Sequence, residues 1–152
     1  MITGNRHTGL VVRNLEKSRF FYENLLGFRL WKQALESGSF IETVVGIPGV
    51  ILEWVKLKAP DDSVLELLQY HSHPVNDLDS GFDTVTKLGL SHLALTVKNI
   101  DEAYLLLLKH EIHCNSAPQR SPDGKVKVLY CHDPDGIIVE LVEECRNSPE
   151  SL

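Results

Sequence analysis

The stretch His7-Thr8-Gly9-Leu10-Val11-Val12-Arg13-Asn14-Leu15-Glu16 returns later in the chain as His92-Leu93-Ala94-Leu95-Thr96-Val97-Lys98-Asn99-Ile100-Asp101. Each copy runs His, an apolar segment, a basic residue, Asn, an aliphatic residue and an acid. Val11, Val12, Thr96 and Val97 are β-branched and suit a buried pleated ladder. Asn14 and Asn99 are good helix N-caps, and Glu16 and Asp101 fall in the first turn, where the helix dipole favours anions. The motif is a strand feeding a helix, used twice. Phe21, Tyr22 and Leu25 give the first helix an apolar face that Gly27 closes, and Ala103, Leu106 and Leu107 give the second the same spacing.

A second echo ties the ends of the two halves together. Pro60-Asp61-Asp62-Ser63-Val64-Leu65-Glu66-Leu67 matches Pro134-Asp135-Gly136-Ile137-Ile138-Val139-Glu140-Leu141. Pro-Asp-Asp and Pro-Asp-Gly are turn sequences with apolar strand residues on both sides. They predict two hairpins, one joining residues 50–58 to 64–71 and the other joining 126–132 to 137–143. Each half is therefore one βαβββ unit. Within a single domain spanning residues 1–152, the first repeat covers about 5–73, a linker about 74–89 and the second repeat about 90–144. Pro74, Asn76, Asp77, Asp79, Ser80 and Gly81 give the linker its composition, and the tail after Cys145 is polar. Phe40, Ile41, Val44 and Val45 fit a helical stripe, so residues 37–46 are assigned to a short helix.

Composition narrows the function classes. The chain has 152 residues, 15 basic and 21 acidic, and a net charge of −6 with His neutral. A mild acidic excess argues against a nucleic-acid-binding face. No apolar run approaches the ~20 residues of a membrane helix, and the Met1-Ile2-Thr3-Gly4-Asn5-Arg6 start lacks the apolar core of a signal peptide. Three cysteines, Cys114, Cys131 and Cys145, form no CxxC motif. A reduced, cytoplasmic protein without nucleic-acid or membrane partners is the expectation.

One His and one Glu recur in each repeat: His7 with Glu66, and His92 with Glu140. Strand alternation turns Glu66 away from Leu65 and Leu67, and Glu140 away from Val139 and Leu141. An ionised carboxylate between apolar neighbours in mid-strand is costly unless paired or coordinated. A divalent cation removes that cost, and imidazole plus carboxylate suits Zn²⁺, Ni²⁺, Co²⁺, Mn²⁺ or Fe²⁺. Gene duplication with exposed strand residues is the plainer explanation for any one of the four, but it does not explain why all four recur. His71, His73, His110, His113 and His132 lack repeat partners and are assigned to the surface or to supporting roles. Cys131 has no evident positive neighbour to activate it and is assigned as a small strand hydrophobe.

The residues His7, Phe21-Tyr22-Glu23-Asn24-Leu25-Leu26-Gly27-Phe28, Leu65-Glu66-Leu67, Gly89-Leu90-Ser91-His92 and Asp133-Pro134-Asp135-Gly136-Ile137-Ile138-Val139-Glu140-Leu141 resemble the vicinal-oxygen-chelate superfamily. That superfamily holds glyoxalase I, methylmalonyl-CoA epimerase, extradiol dioxygenases and the fosfomycin and bleomycin resistance proteins. The resemblance implies an α+β fold of paired βαβββ modules forming a U-shaped mixed sheet around a metal site, in a homodimer. It implies His7, Glu66, His92 and Glu140 as ligands of one divalent ion (Zn, Ni or Co favoured, Mn or Fe possible). It further implies a lyase or isomerase of glyoxalase I type acting on a small vicinal-oxygen substrate, such as a thiol hemithioacetal of a 2-oxoaldehyde. The step would be proton abstraction through a metal-bound enediolate, with Glu140 first and Glu66 second as the base.

Three departures bear on the alternatives. Glu66 is followed by Leu67, Leu68, Gln69, Tyr70 and His71 rather than by the Thr and Asn that help hold glutathione in glyoxalase I-like chains. An epimerase-like second base is missing, because Ile47-Pro48 precedes Gly49-Val50. Leu129-Tyr130, Asp133-Pro134, Gly136 and Glu140 partly meet the extradiol dioxygenase pattern, but Arg120, Ser121, Pro122 and Asp123 supply no acid–base His. A drug-sequestering binding protein is the non-catalytic alternative.

Overall fold

A computed structural model describes residues 1–74 and 89–145. The predicted linker, apart from its two end residues, and the polar tail lie outside the described residues. The chain forms two compact units, one within residues 1–80 and the other within 81–152.

The first unit contains β1 (Thr8–Val11), α1 (Leu15–Arg19), β2 (Arg29–Ser37), α2 (Ser39–Val45), β3 (Ile51–Lys58) and β4 (Val64–Tyr70). Its sheet has the order β1-β4-β3-β2, with β1 parallel to β4 and the other pairs antiparallel. The second unit contains β5 (Leu93–Thr96), α3 (Ile100–Lys109), β6 (Gln119–Arg120), β7 (Val126–His132) and β8 (Ile138–Glu144). Its order is β5-β8-β7-β6, again with one parallel pair, β5 and β8. Two four-stranded mixed sheets result, each a βαβββ module, as the repeat predicts.

The duplication extends to individual hydrogen bonds. The Asn14 side chain accepts from the Lys17 amide at 2.9 Å, and that of Asn99 from the Glu102 amide at 3.1 Å. Each helix start is also held by a strand side chain. Gln69 Oε1 accepts from the Leu15 amide at 2.8 Å, and Glu143 Oε2 from the Ile100 amide at 2.7 Å. These acceptors satisfy N–H groups that a helix start otherwise leaves unpaired, each contributing about 1 kcal/mol. The two hairpin turns match as well: the amides of Asp62 and Gly136 donate to the carbonyls of Ala59 and Asp133, both at 3.0 Å. Asp62 at φ 64° and Gly136 at φ 84° fill the left-handed position that ends a three-residue hairpin loop. These turns set the strand register and therefore the position of Glu66 and Glu140.

Burial follows the alternation. Val55, Leu57, Leu65 and Leu67 are buried on one face of the first sheet, and Leu129, Val139 and Leu141 are buried in the second. Phe21, Tyr22 and Phe28 are buried in the first unit, their rings edge-to-face with centroids 5.0 and 6.0 Å apart. Ile41 of α2 clusters with Val50 and Leu52, bordered by Trp54, Leu68 and Tyr70.

Two local expectations are corrected. The first helix does not stay α-helical: Phe20–Leu25 is a π-helical turn, in which the Leu26 amide donates to the Phe21 carbonyl at 3.1 Å. Gly27 at φ 80° then closes it. Val11 and Thr96 are exposed rather than buried, each on a strand, β1 or β5, at an edge of its sheet.

Candidate metal centre

Glu66 lies in the middle of β4, and Glu140 in the middle of β8. In the parallel pairing Glu66 stands opposite Gly9 and Glu140 opposite Ala94. His7 and His92 therefore sit two residues before the strand positions that face the carboxylates, on the same side of each sheet. His7 Nε2 lies 2.9 Å from Glu66 Oε2. His92 Nε2 lies 3.1 Å from Glu140 Oε2. The structure thus brings the four sequence-predicted residues together as two equivalent pairs, one within each unit. The carboxylate side chains are 12% and 20% exposed and the imidazoles 29% and 30%, so all four remain reachable from solvent.

The separations suit two roles. An imidazole N–H donating to a carboxylate gives a distance of about 2.9 Å. Two neighbouring ligands, each about 2.0–2.2 Å from one ion and at right angles around it, also stand about 3 Å apart. Each His–Glu pair thus has the spacing of one edge of a coordination shell. The donor set of each pair, one imidazole nitrogen and one carboxylate, is of a kind that divalent transition metals accept. His92 Nδ1 contacts the Ser91 hydroxyl at 3.1 Å, which orients the ring and leaves Nε2 turned to Glu140. Among the described residues no group of three or more His, Cys, Asp or Glu is gathered at one point.

The residue across the hairpin from each carboxylate breaks the symmetry. Lys56 faces Glu66, its Nζ 3.3 Å from Oε1. Tyr130 faces Glu140, and its ring centroid lies 5.2 Å from that of His92. Burial, and then the Glu140 charge, push the Tyr130 phenol above its ordinary pKa. Lys56 is absent from the sequence-predicted set; the signal that finds it is the register imposed by the Pro60 turn.

The remaining histidines divide. His71 Nε2 pairs with Glu53 Oε2 at 2.8 Å on the surface. His132 is not a surface residue. It is 4% exposed, its Nδ1 lies 3.2 Å from the Gly136 carbonyl and its Nε2 2.8 Å from the Asn115 side chain. It braces the second hairpin turn from inside. Cys131 is fully buried and its thiol donates to the Val139 carbonyl at 3.5 Å. Burial is the main cause that pushes this thiol up to about 12, which fits the assignment as a strand hydrophobe and rules out a ready nucleophile. A cleft of about 520 Å³ in the first unit, bordered by Arg19, Glu23, Glu53, Val55 and Gln69, opens on the opposite sheet face from Glu66. It is separate from the His7–Glu66 pair.

Residues 5–141 match the model of the Glyoxalase/Bleomycin resistance protein/Dioxygenase superfamily. The chain belongs to that superfamily. Among superfamily members, it is 27% identical over 151 residues to a lactoylglutathione lyase of Schizosaccharomyces pombe, covering 95% of this chain and 49% of that protein. The chain thus spans about half the length of that relative. It is 28% identical over 138 residues to a probable lactoylglutathione lyase of Synechocystis, covering 90% of this chain and 92% of that one. A solved glyoxalase family structure from Bacillus cereus superposes with a TM-score of 0.86 at 25% identity, covering 95% of both chains. The superfamily fold is the fold observed here. No helix among the described residues is long and apolar enough to cross a membrane.

Proposed function

We propose that the protein is a divalent-metal-dependent lyase or isomerase of glyoxalase I type, acting on a small molecule with adjacent oxygens. The observation that carries this reading is the recurrence of one His–Glu contact per module, at 2.9 and 3.1 Å and at repeat-equivalent positions. His7, Glu66, His92 and Glu140 serve one ion, with Zn²⁺, Ni²⁺ or Co²⁺ favoured and Mn²⁺ or Fe²⁺ compatible. A divalent ion held by these side chains would supply positive charge beside the substrate oxygens and so acidify the neighbouring carbon-bound proton. Glu140 takes that proton and returns it to the neighbouring carbon, and Glu66 is the second candidate for the base. Tyr130 faces Glu140 across the hairpin, with its ring against His92. A cytoplasmic homodimer acting on a thiol hemithioacetal of a 2-oxoaldehyde is the form this reading takes; the names of the yeast and cyanobacterial relatives support the lyase activity. The thiol need not be glutathione, because Leu67, Leu68, Gln69, Tyr70 and His71 follow Glu66 in place of the Thr and Asn that help hold glutathione in glyoxalase I-like chains.

One observation favours a second reading, a metal-free small-molecule binder: Lys56 already neutralises Glu66 within its own module. Solvent deuterium exchange separates the two. The metal-loaded chain, given hemithioacetals of methylglyoxal with several thiols, is expected to exchange the carbon-bound proton without consuming O₂. Oxygen consumption would instead indicate a dioxygenase, and neither exchange nor oxygen uptake, with ligand still bound, would indicate the binder.

A further inference from the structure

The sheet face that carries Glu66 also carries an interleaved set of lysines and tryptophans found in only one of the two modules. Lys56 and Lys58 alternate with Trp54 along β3, and Lys32 pairs with Lys56 across the β2–β3 ladder. Trp31 occupies a β-bulge next to Lys32, where the register shifts between Leu30 and Lys32. The ammonium of Lys56 lies 4.7 Å from the Trp54 ring centroid. Those of Lys32 and Lys58 lie 4.5 and 4.8 Å from the Trp31 ring.

Each of these contacts holds a cation over an aromatic face and fixes a side chain that would otherwise move freely. Two carboxylates answer the three cations: Glu66 takes Lys56 at 3.3 Å, and the exposed Asp62 takes Lys58 at 3.0 Å. Lys32 has no carboxylate partner among the described residues. Every ammonium has three donors, so Lys56 and Lys58 keep donors to spend beyond these bonds. In a chain of net charge −6, this is a local positive surface held in place by indoles. Duplication does not account for it, because the second module has Val128, Tyr130 and His132 where the first has Trp54, Lys56 and Lys58.

We propose that this surface binds the anionic group of the substrate, which makes the substrate an organic acid with a carboxylate, phosphate or phosphonate end. The placement deepens the proposed function and rests on it, in that the anion would sit beside Glu66 with the reacting oxygens turned to the His7–Glu66 pair. Binding of the anion itself needs no metal, so the two ideas can fail separately.

The chain has two tryptophans, Trp31 and Trp54, and both stand on this surface, so fluorescence excited selectively in the indole band reports on it and not on the four tyrosines. The test titrates the full, chelator-treated chain at low salt with phenylacetate, phenylphosphonate and the neutral phenylacetamide. At least one anion should give a saturable change and bind about tenfold or more tightly than the amide, the margin a charge-assisted bond supplies. Lys56→Met and Lys58→Met should each weaken that anion about three- to tenfold while keeping the aliphatic stem on the indole. Lys109→Met, at the end of α3 in the other module, should leave it unchanged. Whichever anion binds more tightly distinguishes carboxylate from phosphonate chemistry. If a lysine variant does not fold, loss of binding by the native chain as salt rises gives the same answer. Equal binding of anion and amide, no saturable change with either anion, or anion affinity indifferent to both lysine changes and to salt would overturn the proposal. Anion binding without metal binding would uphold this surface and remove the metal-dependent reading.

Discussion

Lys56 stands directly across the β3–β4 ladder from Glu66, with its ammonium 3.3 Å from the carboxylate oxygen that His7 does not contact. One carboxylate is thus shared between an imidazole and an ammonium, and the ammonium stands beside the place proposed for a divalent ion. Repulsion between the two cations would lower metal affinity. Lys56→Met, which keeps the stem over Trp54, is expected to tighten metal binding about three- to tenfold, from Coulomb interaction in a solvent-reached site. Competition against a chromophoric chelator measures it. Unchanged or weaker binding would place the ion away from Glu66.

Glu140 is assigned as both ligand and base. Glu140→Gln keeps its shape and one donor oxygen but loses the charge and the basic lone pair. Metal affinity should fall modestly, while carbon–hydrogen exchange should fall ~10²–10⁴-fold, the usual contribution of a positioned base. Glu66→Gln should cost less in exchange. Metal content is measured on each variant, so that loss of the ion is not read as loss of the base. A fully loaded Glu140→Gln that exchanges at near-normal rate would transfer the role to another residue.

Gly9 and Ala94 occupy the same position in the two modules, opposite Glu66 and Glu140. A Cβ added at Gly9 would meet Leu68 Cδ1 at 3.4 Å and Glu66 Oε2 at 3.9 Å, which is ordinary contact. Gly9→Ala should therefore stabilise the chain by about 0.4–1 kcal/mol, through the reduced freedom of the unfolded state. Urea unfolding checks this. A loss of stability would mean that the backbone at Gly9 must stay open.

The Cys131 thiol is pushed from 9.0 up to about 12, mainly by burial. Above pH 9 the unfolded chain ionises this thiol while the folded chain keeps its proton. Stability linked to Cys131 is therefore complete below pH 9 and is lost as pH rises toward 12. Urea midpoints measured across that window should fall less steeply for Cys131→Ala than for the native chain. In the native state Cys131 should also resist thiol reagents at neutral pH. Parallel pH profiles would show that the thiol ionises as readily folded as unfolded.

The paired modules, their hairpins and the two His–Glu contacts are legible in the sequence because duplication prints each of them twice. Asn14 with Asn99 and the Pro60 with the Pro134 turn are local signals, and each fixes an element end by hydrogen bonding that needs no distant partner. Other features have no such signal. The strand Arg29–Ser37 is mostly exposed, so it lacks the apolar alternation that marks a strand. The π-helical turn at Phe20–Leu25 comes from packing around Phe21 and Tyr22, which periodicity does not encode. Lys56 and its indole neighbours become visible once the β2 and β3 registers are known, since Trp31, Lys32, Trp54, Lys56 and Lys58 come from two strands and a bulge. His132 has no counterpart as a ligand, so sequence leaves it between the surface and a supporting role; burial and the contacts of both ring nitrogens make it part of the turn.

The central claim is that the two His–Glu pairs serve a single ion, and metal stoichiometry tests it most directly. Calorimetric titration of the chelator-treated chain with Zn²⁺, Ni²⁺ and Co²⁺ should find one tight site per chain for at least one of them. Replacing either imidazole, by His7→Gln or by His92→Gln, should weaken that same site about 10–100-fold or more, since each change removes a first ligand or the partner that orients one. Two equivalent sites per chain, with each variant abolishing one and sparing the other, would contradict the account. So would tight binding that survives both changes.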